Sequence, residues 1–319
     1  MTSKILLITG ATGFIGRNLV ACLSERGDLY LRLLVRDVDK AKSLFGAKHN
    51  IQIIKGDLSN ITSLISATNG VDEIIHLAGE VSSWGDKDIF ISTNIEGTKS
   101  LLLAASKSDK PIKRIICTSS IAVYGCSDDN PVKESSILPK LSWPYANSKV
   151  EMEKIIERNN FISYVILRLG DVIGKDSVWV TNPIKLMRYR FLFLIRESKG
   201  QINFISIKDV IESIKTILNS DIVNTTYNVT AGTSVSFNEY FRDLALKNKL
   251  PIPISLPKQV VYFFTGLIEF VYRLLSLKNE ATLHSLNYIS CERHINIDKI
   301  LKETNWTPKI TYTSMIEQT

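Results

Sequence analysis

The chain has 319 residues, 45% of them hydrophobic and 22% charged, a composition typical of a folded protein and not of a disordered one. Its 39 Lys and Arg and 32 Asp and Glu give a formal net charge of +7. These charges are spread along the chain without a basic cluster, so we do not expect a nucleic-acid partner. The mild positive excess is equally compatible with an anionic small-molecule substrate.

The sequence contains four cysteines: Cys22, Cys117, Cys126 and Cys291. No pair has C-x-x-C spacing and no His cluster accompanies them, a pattern that predicts reduced thiols, no disulfide framework and no metal site. The first apolar run, from Lys4, is broken at Gly10, which is too soon for a signal peptide, so we expect a cytoplasmic protein.

Short apolar segments alternate with longer segments of helical spacing through the first half of the chain. The apolar segments, rich in Ile, Leu and Val as buried parallel strands are, lie at Ile5–Thr9, Leu31–Val35, Ile51–Lys55, Glu73–Leu77, Arg114–Thr118 and Ser163–Arg168. The helical segments lie at 14–26, 38–46, 61–68, 88–107 and 145–158. This alternation predicts an α/β protein with a Rossmann-type doubly wound parallel sheet.

The alternation weakens after about residue 170. Ile202–Ile207 and Thr226–Val229 are predicted to return to the main sheet as strands, with a helix at Asp209–Leu218 between them. The remainder is predicted to form a smaller C-terminal substrate lobe. The resulting domains are a dinucleotide-binding Rossmann domain at 1–174, rejoined by 202–230, and a substrate-binding lobe at 175–201 and 231–319.

A glycine turn follows the first predicted strand and opens the first predicted helix. Its glycines, Gly10, Gly13 and Gly16, stand three apart. Such a turn lets the backbone approach a pyrophosphate, to which the helix N-terminus offers N–H groups and the positive end of its dipole. We expect these glycines, with Phe14 and Ile15, to contact a dinucleotide.

The ends of the next two strands carry charged residues. Arg36, with Asp37 beside it, ends the second strand. An acidic residue there would bind the ribose 2′-hydroxyl of NAD, whereas an arginine accommodates the 2′-phosphate of NADP, so the cofactor is NADP or NAD with NADP slightly favoured. Asp57, followed by Leu58, is predicted to meet the adenine amino group, to cap the next helix, or both.

The fourth strand ends in His76, which we expect to be a core residue, followed by small or apolar residues that allow the cofactor close approach: Leu77, Ala78 and Gly79.

Tyr145 and Lys149 lie four apart, on one face of a predicted helix. A lysine ammonium beside a phenol lowers the pKa of the phenol, which then exchanges a proton with a substrate oxygen near neutral pH. Lys149 is also expected to hold the nicotinamide ribose. The strand before this helix ends in Thr118-Ser119-Ser120. We expect Thr118 to contact the cofactor and Ser120 to polarise the same substrate oxygen. Asn94 is a candidate orienting member of this catalytic set.

With these motifs, the chain resembles the extended short-chain dehydrogenase/reductase family over nearly its whole length. The matching segments, in family order, are TGATGFIG at 9–16, GDL at 56–58, HLAG at 76–79, NIEGT at 94–98, TSSIAVYG at 118–125, YANSK at 145–149, LRLGDVIG at 167–174, FISIKDV at 204–210 and NWTPKI at 305–310. The resemblance implies Ser–Tyr–Lys catalysis of hydride transfer with nicotinamide C4, and a homodimer formed through the helices at 88–107 and 145–158.

The likeness is to the nucleotide-sugar epimerases and reductases of that family, but the Arg36-Asp37 strand tip and the apolar C-terminal helix look more like its flavonol-reductase and 3β-hydroxysteroid-dehydrogenase branches. Three departures weaken the likeness to the nucleotide-sugar branch. The 4,6-dehydratases carry Asp-Glu after the threonine of the strand end, where this chain has Ser119 and Ser120, so dehydration is not expected. The usual Arg-Pro-x-Asn pattern ends here in Asp171. The arginine often found before the F-x-x-V-x-D segment is replaced by Ile202 or Asn203. The pyrophosphate clamp is therefore either missing or supplied by one of three other arginines: Arg188, Arg190 or Arg196.

The longest apolar stretch, Val260 to Leu277, contains Glu269 and Arg273 and falls short of a membrane span. Its apolar residues at helical spacing are Val260, Phe264, Leu267, Val271 and Leu274. We expect a helix packed on the lobe through these residues, with contact to a membrane surface as the less favoured interpretation.

Three functional hypotheses follow. The chain is either a nucleotide-sugar 4-epimerase or 4-keto reductase, with a nucleotide sugar as its partner, or an NADPH-dependent carbonyl reductase or hydroxysteroid-type dehydrogenase on an apolar substrate. The second hypothesis requires an apolar pocket without arginine. A non-catalytic dinucleotide sensor is a remote third, because such proteins tend to lose the tyrosine or the lysine.

Overall fold

The computed structural model describes residues 3–81, 87–127, 129–275, 277 and 282–319. Seven strands form one parallel sheet: β1 (Lys4–Thr9), β2 (Leu29–Val35), β3 (Ile51–Lys55), β4 (Glu73–His76), β5 (Arg114–Ser120), β6 (Ser163–Leu169) and β11 (Thr225–Val229). Their spatial order is β11-β6-β5-β4-β1-β2-β3. The order reverses between β1 and β4, and in open parallel sheets ligands bind outside the carboxyl ends of the strands at such a switch point.

Six short strands pair two by two outside this sheet: β7 (Asp171–Ile173) with β10 (Phe204–Ser206), β8 (Phe193–Ile195) with β13 (Ile254–Leu256), and β9 (Gln201–Ile202) with β12 (Val235–Ser236). The helices are α1 (Phe14–Leu23), α2 (Val38–Phe45), α3 (Ile61–Thr68), α4 (Lys87–Phe90), α5 (Gly97–Ala105), α6 (Pro144–Arg158), α7 (Val178–Arg188), α8 (Ile207–Leu218), α9 (Phe237–Lys247), α10 (Lys258–Leu274), α11 (Leu283–Ser290), α12 (Asp298–Glu303) and α13 (Tyr312–Glu317). A π-helix at Ile91–Glu96 joins α4 to α5, and a 3₁₀-helix spans Ile121–Tyr124.

Apolar clusters cover both faces of the main sheet. Because successive side chains of a strand point to opposite faces, Leu6 and Ile8 of β1 join the cluster that includes α1 and α8, whereas Leu7 joins the cluster that includes α3 and α5. Burial on both faces explains the nearly continuous apolar sequence of these strands. The predicted Rossmann-type α/β fold is confirmed, with the first six strands within two residues of their predicted ends.

The prediction that Ile202–Ile207 returns to the main sheet is wrong. Strand β10, within this segment, instead pairs with β7, and only β11 joins the main sheet beside β6 as predicted. The change of direction occurs at Gly170, where a Cβ would lie 2.2 Å from the carbonyl oxygen of Asn203. This close backbone approach lets the chain leave β6 and form a second, smaller strand pair.

The prediction of four reduced thiols is also wrong. Cys126 and Cys291 form a disulfide with a Cα–Cα distance of 5.4 Å, whereas Cys22 and Cys117 are free. The two bonded cysteines are 165 residues apart, and they meet because the segment after α11 folds back onto the loop after the 3₁₀-helix. Local spacing carries no information about such a contact.

The helix predicted at 260–277 is present as α10, although residue 276 lies outside the described part of the chain. Its predicted packing is wrong, because four of the apolar residues expected to face the lobe are exposed: Phe264, Leu267, Val271 and Leu274. The buried side of α10 is formed by Val261 and Glu269. Across the described ranges, no helix has the length and hydropathy needed to cross a bilayer.

Candidate active site

The glycine turn between β1 and α1 is held by close backbone contacts. Gly10 has φ +70°, and a Cβ there would lie 2.6 Å from the amide nitrogen of Ala78, at the end of β4. A Cβ at Gly16 would lie 2.1 Å from the carbonyl oxygen of Gly10. Gly13 caps α1 without a side-chain hydrogen bond, so the first-turn N–H groups have no capping side chain. This arrangement fits the pyrophosphate of a dinucleotide, with Phe14 and Ile15 in the first turn.

The tip of β2 presents Arg36 to solvent, with its side chain 84% exposed. The nearest described carboxylate is that of Asp57, 3.9 Å from Arg36 Nε. The neighbouring Asp37 is engaged elsewhere, since its carboxylate caps α2 by accepting a hydrogen bond from the amide of Lys40 at 2.9 Å. At this tip the carboxylate of Asp37 is thus turned to the helix cap, whereas the guanidinium of Arg36 is exposed beside Asp57.

Asp57 does not cap the following helix, which corrects one of its two predicted roles. Asn60 caps α3, whereas Asp57 accepts hydrogen bonds from the amide and the hydroxyl of Ser59, which hold the pKa of Asp57 below its ordinary value. Leu58 is buried, and a Cβ at Gly97 would lie 2.9 Å from its Cβ, so its contacts include the start of α5.

His76 is the expected core residue. Its Nδ1 lies 2.7 Å from Thr9 Oγ1 and its Nε2 lies 3.1 Å from Thr98 Oγ1. Burial, together with the positive charge of Lys149, lowers its pKa to about 3, so the ring is neutral. The imidazole thus links β4, to which His76 belongs, with β1 through Thr9 and with α5 through Thr98.

Asn94 lies in the π-helix, a local widening that often marks functional sites. Its Oδ1 accepts a hydrogen bond from the amide of Glu80 at 2.7 Å, and its Nδ2 donates to Ser148 Oγ at 2.8 Å. A Cβ at Gly79 would lie 3.1 Å from Asn94 Oδ1 and 3.3 Å from Lys149 Nζ. Because Gly79, which follows Leu77 and Ala78, has no side chain, there is space beside it next to Asn94 Oδ1 and Lys149 Nζ.

The structure brings the side chain of Ser120 close to the phenol of Tyr145. Burial raises the pKa of Tyr145 to about 12, the neighbouring Ser120 hydroxyl lowers it, and the negative charge of Asp171 raises it. The ring lies 5.1 Å from that of Trp143 and 6.4 Å from that of Phe90. Tyr145 is therefore a protonated phenol at neutral pH in this environment.

The predicted lowering of the Tyr145 pKa by Lys149 is not what the structure shows. Lys149 is buried, and its ammonium donates a hydrogen bond to the carbonyl oxygen of Thr118 at 3.1 Å. Burial lowers the pKa of Lys149 itself, against the raising effects of Cys117 and Glu153. The lysine thus points to the end of β5 and to Gly79, and Ser120 supplies the contact to the phenol.

A cavity of about 470 Å³ opens beside these groups. It is lined by Ala122, Gly125, Cys126, Leu141, Ser142, Trp143, Ala146, Lys258, Tyr262, His284, Asn287, Tyr288, Ser290, Cys291, Glu292 and Arg293. Ser120, Tyr145 and Lys149 do not line this cavity, but Trp143 does, and its ring centre lies 5.1 Å from that of Tyr145. Its volume lies in the range of small-molecule sites.

Arg293 is a residue that the sequence analysis missed. It is 1% exposed, its Nη1 donates to the carbonyl oxygen of Gly125 at 3.0 Å, and its guanidinium lies 4.0 Å from the ring centre of Tyr288. Its Nε has no hydrogen-bond partner among the described residues, and nor does Trp143 Nε1. No motif surrounds Arg293. The three arginines expected to act as a clamp are instead exposed: Arg188, Arg190 and Arg196.

Asp171, the residue in place of the usual asparagine, is buried beside this arginine. Its carboxylate accepts hydrogen bonds from the Tyr288 hydroxyl at 2.7 Å and from the amide of Asn203 at 3.1 Å. Burial raises the pKa of Asp171 to about 6, while Tyr288, Arg293 and the Asn203 amide each act to lower it. Asp171 thus lies behind the cavity wall, where it is bonded to Tyr288, and Tyr288 lines the cavity together with the cationic Arg293.

A family model described as the NAD dependent epimerase/dehydratase family matches residues 6–230. The chain belongs to this family. Its match covers the glycine turn, the end of β4 and the segment from Ser120 to Lys149, but not Arg293 or the residues of α10 and α11 that line the cavity.

Two curated relatives illustrate the breadth of the family. One is the Arabidopsis thaliana trifunctional UDP-glucose 4,6-dehydratase/UDP-4-keto-6-deoxy-D-glucose 3,5-epimerase/UDP-4-keto-L-rhamnose-reductase RHM1, 27% identical over 76% of this chain and 39% of the relative. Another is the Mycobacterium tuberculosis 3 beta-hydroxysteroid dehydrogenase/Delta 5-->4-isomerase, 28% identical over 58% of this chain and 50% of the relative. The chain thus spans half or less of these proteins.

Solved structures share the fold over nearly the whole chain. MoeE5 in complex with UDP-glucuronic acid and NAD is 20% identical, with a TM-score of 0.75 over 98% of this chain and 96% of that one. A UDP-N-acetylglucosamine 4-epimerase from Methanobrevibacter ruminantium M1, in complex with UDP-N-acetylmuramic acid, is 21% identical, with a TM-score of 0.75 over 100% of this chain and 97% of that one.

Proposed function

We propose that this chain is an NAD(P)-dependent enzyme acting on nucleotide sugars, as a 4-epimerase or a 4-keto reductase. The observation that carries the proposal is Arg293, a buried arginine with an unpartnered Nε on the wall of the cavity beside Tyr145. A guanidinium is suited to a diphosphate because it donates several hydrogen bonds in a planar fork. The solved structures with bound UDP sugars support this substrate class.

The residues of the switch point fit a dinucleotide. The glycine turn and the N-terminus of α1 would take its pyrophosphate, Arg36 and Asp57 would flank its adenosine ribose, and Thr118 with Lys149 would hold its nicotinamide ribose. When bound, the nicotinamide supplies or accepts a hydride, the chemistry that both candidate reactions require.

Tyr145, Ser120 and Lys149 are the proposed catalytic residues. The Tyr145 phenol gives a proton to the sugar oxygen in the reducing direction, which its pKa above neutrality favours. Ser120, whose hydroxyl lies close to the phenol of Tyr145, polarises the same oxygen. Lys149 supplies a buried positive charge at the Thr118 carbonyl, and Asn94 acts as a positioning residue that links the π-helix to α6 through Ser148.

The second candidate, a carbonyl reductase or hydroxysteroid-type dehydrogenase on an apolar substrate, finds support in the aromatic part of the cavity wall, Trp143, Tyr262 and Tyr288. It requires a pocket without arginine, whereas a buried arginine lines this one. Against a steroid or other apolar ketone, the Nε of Arg293 would gain no acceptor, and a buried donor without an acceptor costs free energy.

The test is titration of the purified protein with UDP and dTDP by calorimetry. We expect binding of at least one, weakened at least tenfold by Arg293→Gln, since a hydrogen bond to a charged group contributes about 1.5–3 kcal/mol. Arg242→Gln, an exposed arginine on α9, is the matched control and should bind as the parent protein does. Absence of binding to either nucleotide, together with NADPH consumption on hydrophobic ketones, would favour the second candidate.

The cofactor preference is tested in the same protein. Because the side chain of Arg36 is exposed at the strand tip and Asp37 caps α2, we propose a preference for NADP over NAD. Arg36→Ser should weaken NADPH binding about tenfold or more and leave NADH binding unchanged, whereas Lys42→Ser, on the adjacent helix, should change neither. NAD retained through purification, identified by mass spectrometry after denaturation, would contradict this preference and favour an epimerase.

We further propose the domain division given above, with the return to the main sheet made by β11, and a homodimer formed through 88–107 and α6. Light scattering at micromolar concentration should give twice the chain mass; a monomer would contradict the dimer.

A further inference from the structure

Helix α10 carries an apolar surface that the rest of the described chain leaves uncovered. Its residues Phe263, Phe270 and Leu274 are 67%, 64% and 74% exposed. Five further residues of α10 are exposed by 37–50%: Phe264, Leu267, Ile268, Val271 and Tyr272. Only one side of the helix packs, through Val261 against Ile195 and Leu286. Large apolar patches on a protein surface mark interaction sites.

The strand pair that leads into α10 extends this surface. β8 and β13 pair in parallel with Ile254 opposite Phe193, and β13 continues directly into α10. Phe191 and Ile252, each two residues before this paired position, are 66% and 52% exposed, and Ile254 is 66% exposed. We call α10 together with 189–191 and 252–254 the lobe-tip surface.

Unpaired positive charge borders the lobe-tip surface. From Lys185 to Lys199 the sequence has five basic residues and one acidic residue, and from Leu246 to Lys258 it has three lysines and no acidic residue. Several of these basic residues are exposed and form no ion pair with any residue of the described ranges: Arg188, Arg190, Arg196, Lys247, Lys249 and Lys258. The only acidic residue of α10, Glu269, is turned inward and paired with Arg273 at 3.0 Å.

We propose that the lobe-tip surface docks this protein on a lipid bilayer that carries anionic headgroups. Aromatic and aliphatic side chains on one side of a helix, bordered by Lys and Arg, are the combination that binds at the headgroup boundary, by apolar burial and by attraction to anionic lipid. A second copy of the chain fits less well, because it would bring two basic borders together. With 17 residues, α10 lies along the membrane plane and does not cross it.

The same helix reaches the cavity. Lys258 and Tyr262, in the first two turns of α10, line the wall that also holds Arg293. Docking through the outer side of α10 therefore places the proposed substrate site next to the membrane surface. The docking proposal does not depend on the identity of the substrate.

Co-sedimentation of the full chain with lipid vesicles tests the proposal. We expect binding to vesicles of phosphatidylcholine with phosphatidylglycerol, and weaker binding to phosphatidylcholine alone or at high salt. Phe263→Ser and Phe270→Ser should each lower the partition coefficient about tenfold. Phe161→Ser, which removes a phenylalanine that is 50% exposed at a distant site, is the matched control and should bind normally.

A charge variant provides a second route if the serine variants fail to fold. Arg188→Gln with Lys247→Gln should weaken binding to anionic vesicles about fivefold for each charge and leave binding to neutral vesicles unchanged. Lys208→Gln, on α8, is its control. Equal binding of all variants, or no binding of the parent protein to anionic vesicles, would overturn the proposal. So would loss of self-association in the Phe270→Ser protein without any effect of lipid, which would identify a protein interface.

Discussion

Replacement of Asp171 by asparagine separates the electrostatic effect of this carboxyl from its shape. Asn has nearly the same volume, and its amide oxygen accepts the hydrogen bond that the Tyr288 hydroxyl donates to Asp171. The side-chain nitrogen of the new asparagine would face the backbone N–H of Asn203, which in the parent protein donates to the second carboxylate oxygen. One buried donor would therefore lose its acceptor, at a cost of about 1–3 kcal/mol. Absolute stability is therefore a poor measure of the charge.

The pH dependence of stability is a better measure. With a pKa raised to about 6 in the fold and an ordinary value near 3.8, Asp171 keeps its proton longer when folded than when unfolded. Its contribution is therefore most favourable at low pH and is lost as the pH rises through about 6. The loss is about 3 kcal/mol in total, of which about 1.4 kcal/mol falls between pH 5 and pH 8.

Urea unfolding of both proteins at pH 5 and pH 8 gives the comparison. We expect the Asp171→Asn protein to lose less stability than the parent protein over this interval, by about 1.4 kcal/mol. Removal of the negative charge should also lower the pKa of Tyr145, which moves the alkaline limb of the kcat/KM profile to lower pH. An unchanged difference in stability between the two pH values would refute the assignment of a raised pKa to Asp171.

Three further predictions concern the turn, the core and the thiols. Gly16→Ala should destabilise the fold by more than about 2 kcal/mol in urea unfolding, because its Cβ would lie 2.1 Å from a backbone oxygen, whereas Gly13→Ala, with 3.2 Å to the same atom, should fold normally; equal stability would contradict the contact. Arg168→Leu should cost about 3–5 kcal/mol, since it leaves Glu153 charged and buried without its 2.7 Å partner; a loss below about 1 kcal/mol would show that Glu153 finds another. Thiol titration of the denatured protein should give two free thiols without reductant and four with it; four in both cases would refute the Cys126–Cys291 bond.

The parts of this protein that the sequence determined are those encoded by neighbouring residues. The apolar strands and the glycine turn are local patterns, because burial on both faces of a sheet and close backbone approach each restrict which residues are allowed at successive positions. Arg36, Gly79 and Ser120 each lie at or just after the end of such a strand, and the ends of parallel strands meet at one edge of a sheet. The sequence therefore sufficed to assign these three candidates to the same edge. The four-residue spacing of Tyr145 and Lys149 likewise fixed their common helix face.

Tertiary structure alone decided how these residues are partnered. Lys149 proved to bond to Thr118 and not to Tyr145, since side-chain direction depends on the packing around a helix and not on spacing along it. Arg293 reached the cavity, and Cys291 reached Cys126, only because the C-terminal segment folds back across more than 160 residues of chain. The outward side of α10 was equally hidden from its sequence, because apolar residues at helical spacing predict an apolar helix side but not whether the rest of the fold covers it.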